Sequence, residues 1–305
     1  MKYILATILA TISLNLFAAP INVPIVWPFA VGAQQANFIR AIVEQANKDQ
    51  TKYNFMFENK PGAGGTVAAR YVLDYKGLAL LSSSSSFWVR PEFYPVESQY
   101  RTSDFRPVMI ECLGQPYAIV SVKYKTLDEL RQQKFLNIGL IQGSLTEALG
   151  RQLQTLLPNT ELNFIGFQGT HQPTQEMLAG RLDLNVDLPA FSVQWIEDGK
   201  INVIGASGTA QHKNFKTFNS QGVKGFDGLV SNYAMYIKAG ADPEVIKELH
   251  AILNTAATNS PVLKGLYDSD YCSPVSYDLK QTNAIFNKWS NYWPKKLETL
   301  KSVKK

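Results

Sequence analysis

Cysteine and histidine are scarce in this chain, with two and three copies respectively among 305 residues. His171, His212 and His250 lie far apart in different local contexts, and the acidic residues form no calcium loop, so no resident metal is expected. Nucleotide fingerprints are missing too: GAGGTV at residues 62–67 lacks the full G-x-G-x-x-G pattern, and no Gly-Lys-Ser/Thr follows it. Ser144 stands in no G-x-S-x-G elbow, and no histidine or acid can be tied to a serine, which argues against an enzyme. Thirty basic and 25 acidic residues give a formal charge of +5, scattered except in KKLETLKSVKK at residues 295–305. Scattered charge attracts small anions mildly and leaves no nucleic-acid footprint; the terminal run reads as the solvated face of a last helix. No cofactor is expected.

What is present starts with a leader. Met1-Lys2-Tyr3 and the apolar ILATILATISLNLFAA precede a change of character at Pro20, the pattern of a secretory signal peptide over residues 1–19. The expectation is a soluble, exported protein, cleaved near Ala18 or Ala19, with no cysteine at the junction for a lipid anchor. An exported compartment permits a disulfide between Cys112 and Cys272. Sequence alone leaves that pairing and two separate thiols both open.

Strand, loop, helix and strand recur after the leader. INVPIVWPF reads as a strand, residues 36–49 as a helix, YNFMFEN as a strand, and GLALLSSSSS as an apolar strand running into small polar residues. Thr126 reads as an N-cap with Glu129 three residues on. A strand at FLNIGLI, a helix over 145–157, strands at LNFIGF and LDLNVDLPAF, a helix over 174–179 between them, and a strand at INVIGAS repeat the scheme. Such alternation predicts parallel sheets flanked by helices, in two similar α/β lobes. Helices over 243–258 and 278–292 carry too little strand for a third lobe and are expected on the first lobe or across both.

The most informative local feature is a set of strand-to-helix turns made of small polar residues: 82–86, 142–146 and 166–170. If each opens a helix, unsatisfied amides, hydroxyls and the axial dipole gather on one side of the sheet and favour a carboxylate or phosphate. The competing reading is that serine and glycine merely supply turn and cap geometry. Asp187, just before Pro189, either faces a ligand or caps the next helix. Trp27, Phe29, Phe87, Trp88 and Phe191 fall near the same strand ends, where aromatics either wall a pocket or pack the core.

IVWPF at 25–29, ENKPGAGGTVAA at 58–69, the serine turn at 80–84, DFRPVMIECLGQPYAIVS at 104–121, GTHQPTQEMLAGRLDLNVDLPA at 169–190 and W-x-x-Y-W from Trp289 occur in an order that covers nearly the whole chain beyond the leader. This order resembles the substrate-binding proteins of tripartite tricarboxylate transporters, the TctC or Bug family of periplasmic receptors. The resemblance implies a two-lobed, periplasmic-binding-protein-like (type II) fold. Residues 20–120 would form the first part of lobe 1, residues 121–229 lobe 2, and residues 230–305 the return to lobe 1 with the C-terminal helices. It also implies a hinge near 116–121 and 228–235, closure over a small di- or tricarboxylate or related acid, and permease subunits of a tripartite transporter as partners of a monomeric receptor. Carried onto this chain, the ligand residues are Phe29, Gln34 and Gln35 in the first loop, Ser82, Ser83 and Ser84 opposite, and Gly143, Ser144, Thr170 and Asp187 from the second lobe.

The chain departs from the family in its first loop. Where the family pattern resembles P-F-x-x-G-G-x-x-D, residues 28–36 read PFAVGAQQA, with no acid and two amides in its place. An amide both donates and accepts, so the ligand is expected to differ from an amino dicarboxylate whose ammonium prefers an acid. An exported α/β hydrolase-like enzyme and a diverged scavenging protein of the same fold are the alternatives.

Overall fold

The computed structural model describes residues 19–303, apart from 32, 33, 170, 270, 273 and 274. The expected leader lies outside the described residues. Strand β1 (Ile21–Trp27) is buried along its last five residues, as a strand covered on both faces must be, and its apolar run supplies that burial. Helix α1 (Gln34–Asp49) sets Phe38, Ile39, Ile42 and Ala46 at helical spacing on one buried face. Strand β2 (Tyr53–Asn59), helix α2 (Thr66–Asp74) and strand β3 (Leu80–Ser83) follow, and β1 pairs in parallel with both neighbours. Helix α3 (Ser86–Phe93) and the short α4 (Pro95–Ser98) lead into β4 (Phe105–Gln115).

A second sheet then forms from β5 (Ala118–Ser121), β6 (Phe135–Ile141), β7 (Glu161–Phe167), β8 (Leu184–Asp187) and β9 (Asn202–Ala206), with helices α5 (Leu127–Arg131), α6 (Leu145–Thr155), α7 (His171–Leu178) and α8 (Pro189–Glu197) between them. Strand β10 (Ser231–Lys238) returns to the first sheet, and helices α9 (Pro243–Asn259), α10 (Pro261–Ser269) and α11 (Leu279–Lys301) close the chain. The strand orders are β2-β1-β3-β10-β4 and β7-β6-β8-β5-β9, one plan used twice. In each, three parallel strands meet one that arrives from the other lobe: β10 runs antiparallel to β3 and β4, and β5 antiparallel to β8 and β9. Both sheets are therefore mixed rather than wholly parallel, because the crossing strand enters from the opposite end.

Strand β5 already belongs to the second sheet, with Ala118 opposite Asp187 and Ala206. The crossover thus falls at residues 116–117, ahead of the 120/121 boundary expected from sequence. It is fastened to the returning segment by Tyr117 N–H donating to Ser207 Oγ and Ser207 N–H donating to Tyr117 O. Residues 189–191, expected to end a strand, instead open α8; Pro189 takes its first turn, where a missing N–H costs nothing. Residues 278–292 extend into one 23-residue helix, α11, which begins at an Asp278/Gln281 capping box and runs through Pro294. It packs on α3 and β4 of the first lobe and on α6 of the second. Cys112 of β4 and Cys272 beyond α10 are joined as a disulfide.

Candidate ligand-binding site

The two lobes meet where β3 passes into α3 and β6 into α6. On the first side Ser84 Oγ accepts from Ser86 N–H at 3.2 Å, while Ser85 Oγ donates to Val230 O and accepts from Asn232 N–H, both at 3.0 Å. That pins the first turn of α3 to the returning crossover. On the second side Gly143 turns the chain at φ 73°, and Ser144 caps α6 by accepting from Thr146 N–H at 3.1 Å while donating to Ile141 O at 2.8 Å. One bond crosses between the lobes here: Leu145 N–H donates to Ser86 Oγ at 3.2 Å.

Between these turns lies a cavity of about 30 Å³. Ser84, Ser86 and Ser144 supply its hydroxyls; Trp27, Phe29, Ile141 and Leu188 its apolar walls; Tyr117 and Tyr233 come from the crossovers, and Ala30 and Gly169 from loops. Trp27 Nε1 donates to Ala30 O at 3.3 Å, and Asn59 Nδ2 to Phe29 O at 2.6 Å, which holds the first loop against the strand ends. Such a volume suits a water or two, so an organic acid enters only when the lobes part. The start of α6 does not offer the open amides expected from sequence. Leu145 N–H is held by Ser86, Thr146 N–H by the Ser144 hydroxyl and Gly143 N–H by Glu147 Oε2 at 2.7 Å.

The residues picked out from sequence separate into groups. Phe29, Ser84 and Ser144 line the cavity, and Gly143 adjoins it. Ser82 and Gln35 turn inward instead, both donating to the buried carboxyl of Glu111, Ser82 Oγ to Oε1 at 2.7 Å and Gln35 Nε2 to Oε2. Ser83 is buried in the sheet opposite Ala234. Asp187 is buried off the cavity; it accepts from Ser192 Oγ and, at 2.9 Å, from Leu188 N–H, so it is tied to the start of α8 without capping the helix amides. The side chain of Gln34 and all of Thr170 lie outside the described residues. Phe87 stacks on Tyr236 at 4.2 Å and Trp88 packs on Phe286 at 4.9 Å, both as core, and Phe191 rests on His171. Ser86 also lines the cavity; the turn read from sequence at 82–86 contained it, though Ser82, Ser83 and Ser84 were the residues singled out within that run.

Burial sets the electrostatics. It lifts the Glu111 carboxyl to about 7 against the opposing bonds from Ser82 and Gln35, and the Asp187 carboxyl to about 6 against those from Ser192 and Leu188. Glu147, also buried, is matched by Arg151, whose Nη2 donates to Oε1 at 2.8 Å, and by Tyr94 Oη at 3.0 Å from across the lobe boundary.

A description of the tripartite tricarboxylate transporter family receptor, TctC, matches residues 39–300. The chain belongs to that family. A UPF0065 protein in the tcbD-tcbE intergenic region of Pseudomonas sp. (strain P51) is 22% identical over 258 residues, 80% of this receptor and 76% of the relative. The periplasmic binding protein BugD superposes with a TM-score of 0.77 at 20% identity, over 94% of this chain and 99% of that one. MatC from Rhodopseudomonas palustris, solved with bound malate, gives 0.72 at 20% identity, over 93% and 98%. The receptor thus has the two-lobed fold of periplasmic binding proteins.

Proposed function

We propose that this receptor is exported, captures a small di- or tricarboxylate between its lobes, and presents the closed form to the permease of a tripartite transporter, without catalysing a reaction. The observation that carries this is the cavity itself: hydroxyls from both lobes, Ser84 and Ser86 facing Ser144, converge on one small space with apolar sides. That suits an acid group on a short carbon body, which agrees with the structurally similar MatC holding malate. The basic and apolar leader supports export, and no helix among the described residues is long and apolar enough to cross a membrane. The hydrolase alternative gains no support at Ser144, whose hydroxyl is taken up by Ile141 O and Thr146 rather than by a histidine. A thermal-shift screen of succinate, malate, glutarate, adipate and citrate, followed by calorimetry, tests the reading. We expect saturable 1:1 binding of at least one acid, abolished by Ser144→Phe; stabilisation by none of them would overturn it.

A further inference from the structure

Arg90 lies one helical turn beyond Ser86 on α3 and is 7% exposed. Its guanidinium lies over the Tyr94 ring and against Gly143, the neighbour of the cavity-lining Ser144. Its position is set by both lobes. A Cβ at Gly143 would stand 2.5 Å from Arg90 Cδ and Nη1, and one at Gly64 would stand 3.2 Å from Cδ and 2.9 Å from the Gln142 carbonyl of the other lobe. Both glycines have positive φ, so the two loops can close on the arginine only without side chains.

The guanidinium has no counter-charge. Arg90 Nε is buried with no hydrogen-bond partner, and among the described residues no carboxylate comes within 4.0 Å of the guanidinium. The Tyr94 ring lies 4.5 Å beneath it, and the Tyr94 hydroxyl reaches Glu147, whose charge is already met by Arg151. The charge of Glu147 is thus met by Arg151, and the positive charge of Arg90 has no carboxylate to match it among the described residues. A largely buried cation without a counter-charge is disfavoured, and an anion held at Ser144, the residue after Gly143, relieves that penalty.

We propose that Arg90 is the specificity-determining charge of this receptor, admitting anionic ligands and coupling their capture to closure of the Gly64 and Gly143 loops. This rests on the proposed reading of the cavity as a carboxylate site. At an effective dielectric of about 20, unit charges about 8 Å apart attract enough to change an affinity roughly 30-fold.

The test titrates wild type, Arg90→Met and Arg90→Lys with succinate, malate, adipate and inorganic phosphate at low and high salt, and records unfolding without ligand. We expect Arg90→Met to bind about 30-fold more weakly with a flatter salt dependence, Arg90→Lys to recover most of the affinity, and unliganded Arg90→Met to unfold no earlier than wild type. Arg90-dependent stabilisation by phosphate but by none of the acids would sustain the role of Arg90 while removing the carboxylate reading. Equal affinity and salt dependence in wild type and Arg90→Met, or no probe that stabilises wild type more than the variant, would overturn the proposal.

Discussion

The two lobes hold their buried charges differently. In the first, Glu111 has only neutral partners, Gln35 and Ser82, and Arg90 has no anion. In the second, Glu147 and Arg151 complete each other, and Arg151 also donates to the carbonyls of Leu300, Lys301 and Val303 at the end of α11. The paired charges hold the C-terminal helix to α6 and so fasten the lobes together. Carboxyls with only neutral partners occur in both lobes, Glu111 in the first and Asp187 in the second, whereas the cation without an anion, Arg90, lies in the lobe whose serine turn faces the cavity. A satisfied buried ion pair is structural, whereas an unsatisfied one is a place for something else to bind.

Breaking the paired side has the largest expected effect. Arg151→Met leaves Glu147 buried without its cation and frees the α11 carbonyls, so denaturant unfolding should show a loss of about 3–5 kcal/mol. Arg90→Met, a chemically similar change on the unpaired side, should cause no such loss. The comparison fails if both variants lose alike.

Next comes the cross-link beside Glu111. The Cys112–Cys272 bond closes a separation of 160 residues, and replacing both cysteines with serine should lower stability by about 2–4 kcal/mol in a urea titration. Its effect belongs to the first lobe, since β4 and α10 both pack there.

Glu111 sharpens the comparison through pH. Its carboxyl is raised from an ordinary 4.5 to about 7, so the folded state keeps a proton that the unfolded chain releases first. Stability from this group is therefore full at acid pH and falls as pH rises from about 4.5 to about 7, by about 3 kcal/mol in all. Glu111→Gln keeps a neutral group that Ser82 can still bond and should remove this part of the slope; Asp187, raised in the same sense, leaves a remainder. Unfolding curves of the two proteins that run parallel across that window would count against the assignment.

The smallest effect concerns the Leu145–Ser86 bond, one of those that cross between the lobes. Ser86→Ala removes the acceptor of Leu145 N–H and should destabilise by about 1 kcal/mol, while shifting small-angle scattering toward a more open form. An unchanged scattering profile would mean that this contact does not hold the lobes.

Much of this was legible in the chain. The alternation of strand, small polar turn and helix marked the two lobes, and the turns at 82–86 and 142–146 do meet at the cavity. The particular residues were harder. In the serine run, side chains alternate across β3 and then follow the turn of α3, so Ser82 faces Glu111 while Ser84 and Ser86 face the cleft, and composition gives no phase. Gln35 and Glu111 are 76 residues apart, a pairing no local pattern announces. Asp187 could have been placed, because an acid two residues before a proline and five before Ser192 fits a helix start as well as a ligand contact. Arg90 gives no sequence signal, since its isolation comes entirely from the approach of the Gly143 loop.

Amide spectroscopy tests the central claim most directly. Backbone ¹H–¹⁵N shifts would be followed while the best-binding dicarboxylate is added to the receptor. The account predicts that the largest changes fall together at residues 84–86 and 143–146, from both lobes and with one titration midpoint. Changes confined to one lobe, or centred away from these turns, would contradict it.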